Sequence, residues 1–504
     1  MVCGRPRREG DEPQSAQCAS EQSDEVVVPE KPAKVRVTPA ESVEGRTSAK
    51  GKSAARNALP AQDGTGALTF LQRIGQKARE KGEEQFTNLL SHVKVPLLKE
   101  AYMRLRRDVA AGVDAMTWDE YGRGLDERLL DLQDRVHRGS YHPKPVRRVH
   151  IPKGGGRTRP LGIPTLEDKI VQQAVRMLLE PIYEAQFIGF SYGFRPGRSP
   201  HDALDALAYV ITSKKVNWVL DADIRSFFDT IDHGRLRQYI EHRIGDRRLV
   251  RLLMKWLKAG VLEEGQLRAV EEGTPQGGVI SPLLANVYLH YAFDLWINEW
   301  RKRRARGEVY VVRYADDFVV ALQHEEDART LREALTARLA ECGLELHPEK
   351  TRVIRFGRFA REKVDRDGLR KPATFDFLGF THIASVSRTG KFQLKRRTSR
   401  KKRREKLARL KEEIERRKHR PVPEQHRWLR SVLSGHYRYY GVPTNIDAIA
   451  GFRDAVKRKW HAALQRRSQR ARWTKARRAS FDERFSLPLA QIQHPWPERR
   501  FLAR

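Results

Sequence analysis

The stretch Val311-Val312-Arg313-Tyr314-Ala315-Asp316-Asp317-Phe318-Val319-Val320 constrains the fold more than any other part of the chain. Two β-rich apolar runs flank a short polar turn, which is the pattern of a hairpin. Neighbouring strand residues face opposite ways, so two acids that serve one site must lie in the turn itself. On its own an Asp-Asp turn is ordinarily just a solvated hairpin. A second acidic strand end alters that reading: Trp218-Val219-Leu220-Asp221-Ala222-Asp223-Ile224, followed by Arg225-Ser226-Phe227-Phe228-Asp229. Three carboxylates brought in on two strands can hold two Mg2+ ions, each of which takes one or two carboxylates besides water and substrate phosphate. Two such ions about 3.5–4 Å apart clamp the attacking and leaving oxygens of an in-line phosphoryl displacement. Asp221 and Asp229 are rivals of Asp223 for the first of the three places.

Around these strands the pattern is mainly helical. Residues 67 to 145 read as amphipathic helices, with Leu89, Leu90, Val93, Val95, Leu97 and Leu98 among their apolar positions. Pro152 to Pro164 is a loop rich in glycine and basic residues, and Thr165 with Asp168 can cap the next helix. Gly273 to Gly278 is too rich in glycine for regular structure and suits close backbone approach to a ligand. Ser281 is expected to cap the helix that follows, with Pro282 at its first position. Strands interspersed with long helices predict an α+β domain to about residue 385. Beyond it, apolar stripes at Leu407, Leu410 and Ile414, at Leu429 and Leu433, and at Ile449, Phe452, Val456 and Trp460 predict an all-helical domain over 386–465. A basic tail over 466–504 follows.

Charge separates the ends of the chain. The 504 residues carry 98 Lys and Arg against 64 Asp and Glu, a net charge of +34. Residues 1–66, with 10 basic and 10 acidic side chains and few aromatics, read as a disordered leader. Within it, Gly45 to Ser53 misses the phosphate-binding P-loop by one residue of spacing, and no strand precedes it. Residues 391–504 hold 34 basic and 10 acidic side chains, a surplus that suits a nucleic-acid partner. Cys3, Cys18 and Cys342 are too few for a disulfide framework or a Cys₄ zinc site. The chain has no signal-peptide pattern and no apolar run of membrane-spanning length, so it reads as cytoplasmic, with no membrane partner.

These motifs resemble those of reverse transcriptases, and in particular the bacterial group II intron-encoded type that combines polymerase with RNA-splicing maturase. Tyr314-Ala315-Asp316-Asp317 and Asp223 to Asp229 resemble the palm motifs of that family. Further matches stand in order. Ile151-Pro152-Lys153-Gly154-Gly155-Gly156-Arg157-Thr158-Arg159-Pro160-Leu161-Gly162-Ile163-Pro164 resembles its fingers loop, and Phe190-Ser191-Tyr192-Gly193-Phe194-Arg195-Pro196-Gly197-Arg198-Ser199 its next motif. Gly273-Thr274-Pro275-Gln276-Gly277-Gly278-Val279-Ile280-Ser281-Pro282-Leu283-Leu284 resembles the loop and helix beneath the template, while Leu346 to Thr351 and Phe375 to Phe380 resemble the late palm motifs. Ser434-Gly435-His436-Tyr437-Arg438-Tyr439-Tyr440-Gly441 is similar to the aromatic signature of the family's thumb.

The resemblance implies a right-hand polymerase, with fingers and palm over 67–385 and a basic thumb or maturase domain after it. It implies that Asp223, Asp316 and Asp317 bind the metals, that Lys153 and Arg159 contact the triphosphate, and that Arg157 is a possible substitute. Phe228 matches the aromatic beneath the nucleotide sugar, where it selects deoxynucleotides by excluding the 2′-hydroxyl. Gln276 matches a contact to the nascent pair, and Lys350 the lysine that protonates departing pyrophosphate. Phe377-Leu378-Gly379 resembles the turn supporting the primer end, and Phe227 and His436 are expected in the core. The implied partners are intron RNA, an RNA template with its DNA primer, deoxynucleoside triphosphates and a DNA target. No cysteine follows Cys342, so the family's zinc-bearing endonuclease is not expected. Two rivals share these motifs: an RNA-binding splicing factor without polymerase chemistry, and a related enzyme adopted for host defence or repair.

Overall fold

The computed structural model describes residues 65–498 apart from 155–156, 264–265, 269–272, 275–276, 361–371 and 468–473, with backbone alone for 65–68, 152–154, 157 and 267–268. All but the last two residues of the expected leader, including Gly45 to Ser53, lie outside this range. So do Gln276 and the side chains of Lys153 and Arg157.

Helices Thr65–Glu80 and Val95–Arg104 pack against a long helix, Leu166–Glu184, whose sides are buried for most of its length. Its start follows the sequence expectation. Thr165 Oγ1 accepts from the Asp168 amide at 3.2 Å, and its hydroxyl donates to the Asp168 carboxylate at 2.6 Å. A mixed sheet forms from β1 (Val146–Gly154), β2 (Arg157–Ile163), β4 (Val261–Glu263) and β5 (Gln266–Arg268), in the order β2-β1-β4-β5. β1 is antiparallel to β2 and parallel to β4.

The central sheet is antiparallel throughout. It comprises β3 (Trp218–Asp223), β6 (Val309–Tyr314), β7 (Asp317–Leu322) and β8 (Arg352–Arg355), in the order β6-β7-β3-β8. Alternate residues supply two cores. Leu220, Val311 and Val320 face the one shared with the N-terminal helices; Val219, Val312 and Val319 face the one shared with helix Pro200–Ser213. With both faces covered, the strands are apolar nearly throughout, and polar residues gather at their ends.

A third sheet departs from expectation. β9 (Thr374–Phe377), β10 (Phe380–Val386) and β11 (Phe392–Thr398) form an antiparallel meander that runs past residue 385 into the segment expected to be wholly helical. The Lys395-Arg396-Arg397 run masks the strand in sequence, but Arg396 is buried and ion-paired with Asp205 at 2.7 Å. Helices Arg400–Arg417, Val422–Tyr440 and Ile446–Gln465 then enclose a separate core built from the anticipated stripes, with Trp460 and Phe452 at its centre. The expected tail is also structured in part. Helix Lys475–Arg484 is followed by a segment that buries Leu487 on this unit.

Candidate active site

β6 and β7 are joined by only two residues, Ala315 and Asp316, and Ala315 has φ of 57°. A positive φ at the first turn position matches the twist of a two-residue hairpin, although an alanine adopts it only under strain. Tyr314 is paired with Asp317 across the hairpin, and Asp317 in turn stands opposite Asp223 on β3. Asp223 and Asp317 are thereby register partners, with Asp316 adjoining them in the turn.

Protein surrounds the Asp317 carboxyl closely although its accessible area is that of an exposed residue. This desolvation, followed by the like charges of Asp316 and Asp223, pushes it up to about 7, and Lys350 opposes the shift. Lys350 Nζ is ion-paired with Asp223 Oδ2. The segment carrying Lys350 is tied to the end of β3, since the His347 amide donates to the Asp223 carbonyl at 2.8 Å. Asp221 is occupied otherwise: Arg352 lies 3.1 Å from its carboxylate, and burial raises its pKa.

Among the described residues no three acidic, histidine or cysteine side chains enclose a point where an ion would sit. The donors nonetheless suit Mg2+. They are carboxylate oxygens crowded to the point of mutual repulsion, with an ammonium already drawn in, and Mg2+ leaves much of its shell to water and phosphate.

Phe228 lies on the 3₁₀ turn Phe227–Asp229 and is 9 % exposed, with Phe227 fully inside at 2 %. The glycine-rich loop locks onto this turn: the Thr274 amide donates to the Phe228 carbonyl at 2.7 Å, and Gly273 to that of Ile231 at 2.9 Å. Gly273, at φ of 85°, lies against the Phe228 and Asp229 backbone, where a Cβ would come within 2.8 Å of the Phe228 oxygen. Gly277 approaches Gly162 of β2 as closely. The Val279 amide donates to Gln172 Oε1 at 2.8 Å. Arg159 is exposed on β2, opposite Ile151.

Ser281 is a correction. Ile280 occupies the cap position without a side-chain bond, and Ser281 is the first, buried residue of helix Ser281–Leu289, because the Leu283 and Leu284 amides both reach the Ile280 carbonyl. His436 is buried, as expected, and stacks on Phe452 with ring centroids 3.8 Å apart. The Leu378-Gly379 turn has φ of 47° and 80° and receives the Tyr439 hydroxyl at the Leu378 carbonyl, 2.9 Å away.

A polar group beneath the Asp316 turn has no counterpart in the sequence reading. Arg313 and Asp294 form a wholly buried ion pair, supported by Asn286 and Ser191. The available signal was an arginine within the apolar run Val311-Val312-Arg313.

Asp223 and Asp317, at strand ends, and Asp316, in the adjoining turn, thus share one edge of an antiparallel sheet. The family model described as Reverse transcriptase (RNA-dependent DNA polymerase) matches residues 151–382. Protein YkfC of Escherichia coli is 36% identical over 314 residues, covering 56% of this chain and 78% of that protein. Group II intron-encoded protein LtrA of Lactococcus lactis is 40% identical over 225 residues, 44% of this chain and 37% of its own length. Nuclear intron maturase 1 of Arabidopsis thaliana is 30% identical over 95 residues, 19% of this chain and 13% of that protein. The chain belongs to the reverse transcriptase family, alongside group II intron-encoded proteins and intron maturases. No described helix is long and apolar enough to cross a membrane.

Proposed function

We propose that this reverse transcriptase copies RNA into DNA from a primer, with Asp223, Asp316 and Asp317 holding two Mg2+ ions. The observation that carries this is the register pairing of Asp223 with Asp317, with Asp316 in the adjoining turn. When bound, the ions lower the pKa of the primer 3′-hydroxyl and neutralise charge on the leaving pyrophosphate. The carboxylates fix the place where the reacting oxygens meet, and most of the rate comes from that positioning. Lys350 donates a proton to departing pyrophosphate, a role that its ion pair with Asp223 supports. Arg159 and Lys153, on the β1–β2 hairpin, supply cations to the triphosphate. Phe228 forms the floor under the sugar, and Gln276 contacts the nascent pair.

The basic helical unit after β11 serves as the thumb. It holds template and primer, and binds intron RNA so as to favour its spliced fold, since a ligand specific for one conformation shifts the population toward it. DNA is the target of intron insertion, and the bacterial cytoplasm the place of action. Primer extension on an RNA template with purified protein and Mg2+ tests the polymerase. Asp316→Ala is expected to lower extension by at least about a thousand-fold, given that positioning and charge stabilisation each supply several kcal/mol, while RNA binding persists. Extension undiminished in that variant overturns the metal assignment.

A further inference from the structure

Arg313 has five N–H donors, and all five are engaged inside the protein. Nε donates to Asp294 Oδ1 at 2.7 Å and Nη2 to Asp294 Oδ2 at 2.5 Å. Nη1 reaches Asn286 Oδ1 at 3.1 Å and the Ala315 carbonyl at 3.0 Å, while Nη2 also reaches Ser191 Oγ at 2.7 Å. Arg313 and Asp294 are both 0 % exposed. Asn286 passes the arrangement on: its Nδ2 donates to the Gly193 carbonyl at 2.7 Å. Gly193 lies so close to the Ala315 amide nitrogen that a Cβ there would overlap it. The strained turn residue is thus held from two sides, by Arg313 at its oxygen and by Gly193 at its nitrogen.

Asp294 owes its place to an irregularity. It ends the π-helical turn His290–Asp294, set between helices Ser281–Leu289 and Leu295–Arg303. A π turn takes one residue more than an α turn and changes the direction of the side chains after it; such turns recur at functional sites.

Stability alone is a poor reason for such a pair. Desolvating two charges roughly offsets their attraction, and apolar replacements of similar volume are often neutral or stabilising. What an apolar pair cannot do is bond to the Ala315 carbonyl and Asn286. We infer that Arg313 and Asp294 are positioning residues for nucleotidyl transfer. They hold Ala315 in its left-handed conformation so that Asp316 and Asp317 face Asp223. The inference rests on the two-metal reading proposed above.

The test is the full-length double variant Arg313→Met with Asp294→Leu. With the buried charges removed together, the loss of stability is confined to the acceptors of Asn286, Ser191 and Ala315 that lose their donor, and the melting temperature should fall by several degrees with the protein still folded. The expected result is kcat for RNA-templated extension lower by about a hundred-fold, the effect of a misplacement near 1 Å, with KM for deoxynucleotide and template-primer little changed. Terbium(III) luminescence, which reads cation binding without turnover, should show weakened affinity. Asp294→Glu keeps the charge but shifts the carboxylate by one methylene. It should lose kcat and terbium affinity in the same direction, and it decides the matter if the double variant does not fold. Parental kcat and terbium affinity in a folded double variant, or in Asp294→Glu where the double variant does not fold, overturn the inference. Failure of the parent protein to extend an RNA-templated primer counts against the proposed function instead, and leaves the terbium comparison standing.

Discussion

Phe228 reaches its place because the chain leaving β3 turns at once, with Ser226 at φ of 47°, and because the 273–274 backbone clamps the 3₁₀ turn that follows. Its ring meets Phe227 edge-on at 5.4 Å and Phe228 keeps 9 % of its surface exposed, whereas Phe227 continues inward toward Tyr288. With Phe228 as the floor under the sugar, shortening the side chain should admit a 2′-hydroxyl. Full truncation of a nearly buried phenylalanine costs about 3–5 kcal/mol, so Phe228→Val accompanies Phe228→Ala as the milder change. Both should raise ribonucleotide relative to deoxynucleotide incorporation by about ten-fold or more in kcat/KM. An unchanged ratio in a folded variant removes the assignment. The same scale shows what sequence conveys. Asp316 and Asp317 were legible as the polar end of a hairpin, but not in detail: only Asp316 lies in the turn, whereas Asp317 opens β7 and reaches Asp223 through strand register, an arrangement the alternation argument did not foresee. Arg313, Asp294 and Asn286 were not legible, because their partners lie 19 to 122 residues apart and no local pattern marks a pair that forms only when two elements meet.

The β9–β11 meander shows how an element escapes notice and what its burial does to a titratable group. In β10, His382 stands opposite Arg396 of β11 and Phe375 of β9, and stacks flat on Phe375 with centroids 4.7 Å apart. Burial, reinforced by the Arg396 charge, pulls its pKa down to about 3. In the unfolded chain the imidazole takes up a proton near 6.5. The folded state therefore keeps its full stability above that value and loses it as pH falls from 6.5 toward 3, because the unfolded state binds the extra proton. The loss is on the order of 1 kcal/mol per pH unit for each such histidine, and His290 and His436 add to it in the same sense. His382→Phe, which preserves the stack, should make stability less steep in pH between 6 and 4, as read from urea midpoints. A slope identical to the parent's shows that His382 is not the group responsible. The helices of the C-terminal unit were legible because their apolar stripes recur at helical spacing. β11 was not, since its charges break the strand alternation and two of them find their partners far off in the chain, Arg396 at Asp205 and Arg397 at Asp447.

Across the whole molecule, the positive charge lies mainly on a unit that is stitched to the sheet region at several points. Arg453 donates to the Leu487 and Pro488 carbonyls, and the Tyr437 hydroxyl also reaches Pro488. The Gln493 and His494 amides bond to the Gly441 carbonyl, while the His494 ring stacks 3.7 Å from His201 on helix Pro200–Ser213. A segment described by composition as a basic tail thus joins the helical unit to the body of the protein. Its prolines hide this, because they remove the periodicity by which packing is read. Charge itself was legible at this scale, and the structure gives it a location. Arg400, Lys401, Lys402, Arg403 and Arg404 are all exposed at the start of helix Arg400–Arg417, which has no acid in its first turn and no side-chain cap. Five cations at the positive end of a helix dipole destabilise the free protein. The arrangement makes sense if phosphates occupy that end, where dipole and side chains attract them together. Replacing Lys401, Lys402, Arg403 and Arg404 with Gln should therefore act in opposite directions on two measurements. The melting temperature without RNA should hold or rise, while RNA affinity falls and the slope of log K against log salt becomes shallower by about 0.7 to 0.9 for each phosphate that the helix no longer neutralises. A salt slope equal to the parent's would mean that the RNA backbone is gripped elsewhere, and that this end of the helix is only a solvated surface.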